Sequence, residues 1–460
     1  MTPRVDYGDA PLAPPPWLWL LLGNYGWQLP SGVSWWHAQI RDLWTDDGNY
    51  SAEIVASPGF AALRVTTVSQ VMPSLVLVAG LVTVVIPYVR GWYTSWRYRL
   101  TDLTALDGRS VGGTEHGLPA LRHFVETHAP GTGIKVAMWA KSPPARVYAA
   151  GCRKRRIAVS LGFVALWRRN PERARVLLIH EVGHLDSGEH LIAGLGSPFT
   201  RAIQAWPLVF LASGLAPLVW LGVRHEPTAS LMWSQVVVVL SKATVVLVPV
   251  LALWCSELAA DRCAVAASGR RAVVDALEEL RSGRRRWGWF TEVTHPPMRL
   301  RRWCVERADR PVVPMLLTAA GPVALLAYAL LTTCLAAVAL VLLGDPPSAA
   351  IASSVELAHR DLLTVPLWSG MVAVVLVWPA LAGLWLRLWR GPGGIARVPV
   401  AGPGASAAPR VFGMHPWTVR ATAVVLPALV LVFALLPLSG AVDRDPVLRP
   451  SATADESSSP

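Results

Sequence analysis

Charged side chains are scarce in this chain: Asp, Glu, Lys and Arg make up only 16% of 460 residues, where a soluble protein carries about 25%. The deficit falls in blocks, which excludes an ordinary soluble globule and marks a protein built into a membrane. Cysteine is also rare, with five residues at positions 152, 255, 263, 304 and 334. Their scatter excludes a zinc knuckle and an obvious disulfide framework, and Cys255 and Cys263 read as fillers of small apolar gaps. The N-terminal leader is Pro-rich and acidic rather than basic, so a cleavable signal peptide is not expected. No nucleic-acid recognition motif accompanies the formal net charge of +12. Positive residues flanking membrane spans account for that charge more simply.

What the chain has in quantity is apolar sequence, 53% of its residues. The runs lie at about Val71 to Val89, Ala205 to Val223, Leu231 to Trp254, Val312 to Leu343, Val365 to Leu386 and Ala421 to Ala441, each near or above the roughly 20 residues of one crossing. Val312 to Leu343 exceeds a single crossing at about 1.5 Å per residue and is read as one tilted span. Trp17 to Leu22 is too short to span. Trp27, Trp35, Trp36 and Trp44 suit either a membrane interface or the core of a small cap.

The expected fold is therefore a polytopic α-helical membrane protein of about six spans with a soluble α+β part. Residues 1–65 form an extracytoplasmic or interfacial segment and 66–90 the first span, closed by Arg90, Trp92, Tyr93, Trp96, Arg97 and Arg99. Residues 91–203 and 256–311 are polar, and 204–255 are a membrane hairpin between them. Residues 312–442 hold three spans, with a Gly-, Pro- and Ala-rich loop at 391–409. Residues 443–460 have the composition of a disordered tail. Arg and Lys crowd 90–203, 256–311 and 387–410, so those segments are expected to face the cytoplasm and both termini to lie outside. Membrane lipid is thus one partner; self-association into a homo-oligomer is left open.

In the first polar part, Gly117 to His128 reads as an amphipathic helix. Ile134 to Ala140 and Arg146 to Ala150 read as strands around a turn at Ser142, Pro143 and Pro144. IAVSLGFVALW reads as a strand leading into a helix, and the preceding basic run, Arg153 to Arg156, as a solvated turn.

The sharpest motif is HEVGH, His180 to His184. On a helix a four-residue offset stacks both imidazoles on one face, where they can share one zinc ion. Glu181 beside them can take a proton from water on that metal. Catalytic zinc usually has three protein ligands. Glu257, at the end of the third span and opening a helix, is the best third candidate. Asp261, one turn on, suits a carboxylate accepting a ring N–H from a ligating histidine. Asp186, Glu189 and His190 are read as the solvent-exposed end of the zinc helix.

HEVGH, a membrane hairpin, ELAAD and then THPP together resemble the M48 family of membrane zinc metallopeptidases, which contains the bacterial heat-shock membrane protease and the CAAX prenyl protease. The resemblance covers about residues 115 to 305. It implies a cytoplasmic zincin-like metallopeptidase domain, one Zn2+ per chain held by His180, His184 and Glu257, Glu181 as general base and Asp261 as orienting residue. It also implies His295 as a group that stabilises the oxyanion or positions substrate. Ala145-Arg146-Val147-Tyr148-Ala149 stands where the family has an Asn-Ala-Phe-like stretch, so the Asn is absent. The expected activity is zinc-dependent endopeptidase cleavage of membrane or cytoplasmic proteins, with an extended substrate paired to that strand. Two alternatives carry over: a signal-transducing membrane metallopeptidase and a silent zinc-binding scaffold.

Overall fold

Alternating buried positions build a small mixed sheet of four strands, β1 (Leu100–Asp102), β2 (Gly133–Ala137), β3 (Ala145–Ala149) and β4 (Arg155–Ser160). The strand order is β1-β2-β4-β3, with β2 and β4 parallel and the outer pairs antiparallel. In this computed structural model the residues described are 14–23, 55–64, 78, 86–103, 117–137, 145–151, 154–225, 227–282, 293–308, 310, 312–361 and 365–390. The rest of the described chain is mostly helical.

Residues 17–23 and 58–64 are helical, and the helices that follow are α1 (Pro87–Arg97), α2 (Leu118–His128), α3 (Leu161–Arg169), α4 (Pro171–Asp186) and the short α5 (His190–Ala193). One core joins the sheet to α2, α3 and α4 through Leu121, Val136, Val147, Ile157, Phe163, Trp167 and Leu178. The helix α4 starts cleanly: Asn170 accepts from Arg173 N–H, Pro171 sits in the first turn, and Glu172 faces the positive end of the dipole. Both sides of α4 are covered, by the sheet on one and by a long helix, α9, on the other.

Next come α6 (Pro198–Phe210), a π-helical turn at Leu211–Leu215, α7 (Ala216–Arg224), α8 (Ala229–Ala243) and α9 (Leu247–Ser268). The two arms of the expected hairpin touch where Leu218 and Leu221 meet Val239. The π turn follows Pro207, which cannot donate to the helix ladder. Then follow α10 (Arg270–Ser282), α11 (Met298–Glu306), α12 (Val312–Leu342), α13 (Pro347–Asp361) and α14 (Val365–Arg390).

Among the described residues two helical stretches are long and apolar enough to cross a membrane, Ala229–Ser268 and Val312–Leu342. The second is one continuous helix despite Pro322. Its exposed residues include Leu316, Val323, Leu330 and Val338, an apolar face of the kind that lipid covers. Most of the expected span at 71–89, the tryptophans at 27, 35, 36 and 44, the 391–409 loop, the span at 421–441 and the tail lie outside the described residues.

Three sequence readings are corrected here. Glu257 does not open a helix; it lies in the middle of α9, which runs unbroken from Leu247 to Ser268. The basic run is not simply a solvated turn. Arg155 opens β4, is buried, and pairs with Asp186 at 2.9 Å. Cys255 is buried as expected, whereas Cys263 is exposed.

Candidate metal centre

On α4 the four-residue offset does what helical geometry requires. The His180 and His184 rings stand edge to face with centroids 5.0 Å apart. Across from them is α9, and the two helices approach closely at Gly183. A Cβ on Gly183 would lie 3.0 Å from the Ala260 Cα. That contact delivers Glu257 between the two rings. Its Oε2 is 3.5 Å from His180 Nε2 and its Oε1 is 3.7 Å from His184 Nε2.

Donors around a tetrahedral zinc with bonds of about 2.0–2.2 Å stand about 3.4 Å apart. The two distances across Glu257 are close to that, and the three donor atoms lie within 4.8 Å of one another. The set of two imidazoles and one carboxylate is therefore one that a metal ion fits. Glu257 and His184 are buried, which excludes competing water from most of the site.

Beneath the donors are charges that the sequence reading only partly anticipated. Asp261 comes within 2.9 Å of His180 Nδ1, off the line of the ring N–H, so the contact is an ion pair rather than an aligned hydrogen bond. Burial alone would depress the His180 pKa, but the Asp261 and Glu257 carboxylates more than reverse this and hold it near 9. Arg301, on α11, was not foreseen. Its guanidinium is buried, takes both Asp261 oxygens and reaches to 3.7 Å from Glu257 Oε2. Burial lowers its pKa and the two carboxylates overturn that, so it stays charged. The missed signal is local: Arg301, Cys304 and Val305 are the buried stripe of α11, and an arginine on such a stripe requires a buried acid.

Glu189 and His190 are the other departure. They are 6% and 2% exposed, not the solvated end of a helix. Ser256 Oγ bonds Glu189 Oε2 and stands 3.2 Å from His184 Nδ1. Burial, then the positive charges of Arg155 and Arg90, push the His190 imidazole down to about 3.

Glu181, between the two histidines in sequence, reaches β3. Its Oε2 accepts the Val147 N–H at 2.8 Å, and it lines the same cavity as His184, Glu257, His295 and Arg146. His295 Nε2 lies 3.5 Å from Glu257 Oε1 and 2.5 Å from Arg146 Nη2, and its Nδ1 is 3.1 Å from Thr294 Oγ1. Arg146 can only donate, so His295 accepts from it at Nε2. All six residues singled out from the sequence, His180, Glu181, His184, Glu257, Asp261 and His295, thus belong to one cluster. No family model, curated protein or solved structure matches the chain.

The edge strand qualifies the expected substrate pairing. Val147 C=O already accepts Leu195 N–H at 2.7 Å, while its N–H is held by Glu181. In an antiparallel pair alternate residues turn both groups outward; beside Val147 these are Ala145 and Ala149. A Cβ on Gly91 would come within 2.9 Å of Ala149 O, so α1 covers that end. Ala145 is the other outward-facing position of β3.

Proposed function

We propose that this chain is an integral-membrane zinc-dependent endopeptidase resembling the M48 family, cutting membrane or cytoplasmic proteins at the cytoplasmic face of a bacterial inner membrane. The observation that carries the reading is the juxtaposition of a three-donor group, His180, His184 and Glu257, with the Glu181 carboxylate on one cavity beside an edge strand.

A bound zinc would polarise the scissile carbonyl and acidify the attacking water. Glu181 then takes the water proton and returns it to the leaving amine. One of its oxygens is occupied by Val147 N–H, which fixes the carboxylate while the other stays free for the proton. Arg146 is placed on the same cavity to donate to the oxyanion as it forms, and His295, by accepting one of its N–H groups, holds the guanidinium there. A substrate strand reaches Val147 C=O only by displacing Leu195 N–H.

The two long apolar helices fit a polytopic protein, and the finer six-span arrangement with both termini outside rests on the distribution of Arg and Lys. The deciding experiment is casein or peptide cleavage by detergent-purified protein with zinc. Cleavage should vanish with chelator and in Glu181→Gln while that variant still binds one zinc. A protein that binds zinc and cuts nothing would move the signal-transducing reading to the front.

A further inference from the structure

We propose that Glu189 and Ser256 act as a positioning pair for His184; this rests on the metallopeptidase reading above. A hydroxyl has one hydrogen, and a carboxylate accepts rather than donates. The Ser256 proton therefore goes to Glu189, and the Ser256 oxygen is left to accept from His184 Nδ1–H at 3.2 Å. That order of donors leaves the ring's lone pair at Nε2, the atom facing Glu257 Oε1 at 3.7 Å. The tautomer that a metal requires is thereby selected by the protein itself.

The pair is built rather than incidental. Glu189 and Ser256 are 6% and 5% exposed, and a carboxylate is buried at large cost unless its oxygens are used. Glu189 Oε2 is approached by Ser256 and also by Ser187 Oγ at 2.9 Å, while Ser187 lies 3.1 Å from His184 O. The chain reaches this position because Gly188 takes a φ of 77°, turning back at the end of α4 so that Glu189 returns toward the ring its own helix presents. Ser256 comes from α9, one residue before Glu257. The two histidines are thus partnered by different means, His180 by an ion pair with a carboxylate and His184 through a hydroxyl.

The test uses the full chain in detergent, with Zn2+ for affinity and Co2+ as a spectroscopic probe. Wild-type protein is measured first; if it binds no zinc, the metal reading itself fails and this inference with it. Given binding, Glu189→Gln and Ser256→Ala should each weaken zinc by about 10–100-fold. The double variant should be no weaker than the poorer single one, because the two groups act in series. Ser256→Thr, which keeps the hydroxyl, should restore affinity and the wild-type cobalt visible spectrum. Zinc affinities within about twofold of wild type in folded single variants, or an unchanged cobalt spectrum with only a lower melting temperature of the metal-free protein, would overturn the proposal.

Discussion

Arg301 grips Asp261 with two hydrogen bonds, Nε to Oδ2 at 2.8 Å and Nη2 to Oδ1 at 2.6 Å. Through Nη1, at 3.7 Å from Glu257 Oε2, the same cation also neutralises the metal-side carboxylate. Two buried acids one turn apart on α9 would otherwise repel each other in a poorly screened interior. The guanidinium is what allows both to sit beside the histidines.

Arg301→Met should therefore unfold the site. Removing one partner of a buried pair costs about 3–5 kcal/mol, because the other charge is left without compensation. Chemical denaturation of the metal-free protein should show that loss, and zinc binding should weaken with it. A variant as stable as wild type would mean that Asp261 and Glu257 do not need the arginine.

Glu181→Gln keeps the shape of the side chain and removes its basicity. Zinc affinity should stay near wild type, since Glu181 is not among the three donors. Turnover of casein should fall by about 10²–10⁴-fold, the usual worth of a general base. Retained cleavage would assign the base elsewhere.

Gly183 is where α4 meets α9. Gly183→Val would push its Cβ to 3.0 Å from Ala260 Cα and 3.3 Å from Cys263 Cβ, before the two further methyl groups are counted. The helices must separate, costing about 1–3 kcal/mol, and Glu257 must retreat from the two rings. Equilibrium dialysis should show zinc affinity lowered by about tenfold or more. Unchanged affinity would show that α9 can follow the shift.

His190 supplies a pH dependence whose sign can be worked out. Its folded pKa is about 3, depressed by burial and then by Arg155 and Arg90, with His184 also nearby and the Trp389 ring against it. In the unfolded chain it titrates near 6.5. The neutral imidazole is favoured by folding, so this contribution is complete above about pH 6.5 and is lost at about 1.4 kcal/mol per unit as pH falls toward 3. Denaturation midpoints from pH 7 to 4.5 should fall more steeply for wild type than for His190→Gln. Parallel curves would show that His190 takes up no proton on unfolding.

How much of this was legible in the chain follows from distance along it. The helical period alone sets His180 and His184 one turn apart, and apolar length alone marks Val312–Leu342 as a helix able to cross a bilayer. The helix Leu118–His128 and the strand at Ala145–Ala149 were readable in the same way, from local periodicity. Each of these depends on geometry within one element.

Sequence by itself thus determined the two imidazoles, the adjacent carboxylate and the apolar helices, because local backbone geometry is repetitive and needs no partner. The motif order also singled out Glu257, but only the tertiary structure decided how it meets them, through the close approach of α4 and α9 at Gly183 and Ala260. Packing likewise decided that Arg155, Glu189, His190 and Arg301 are buried although their letters suggest solvent. A charged side chain reads as exposed until another element brings a partner and excludes water, and that event is set by contacts between residues far apart in the chain.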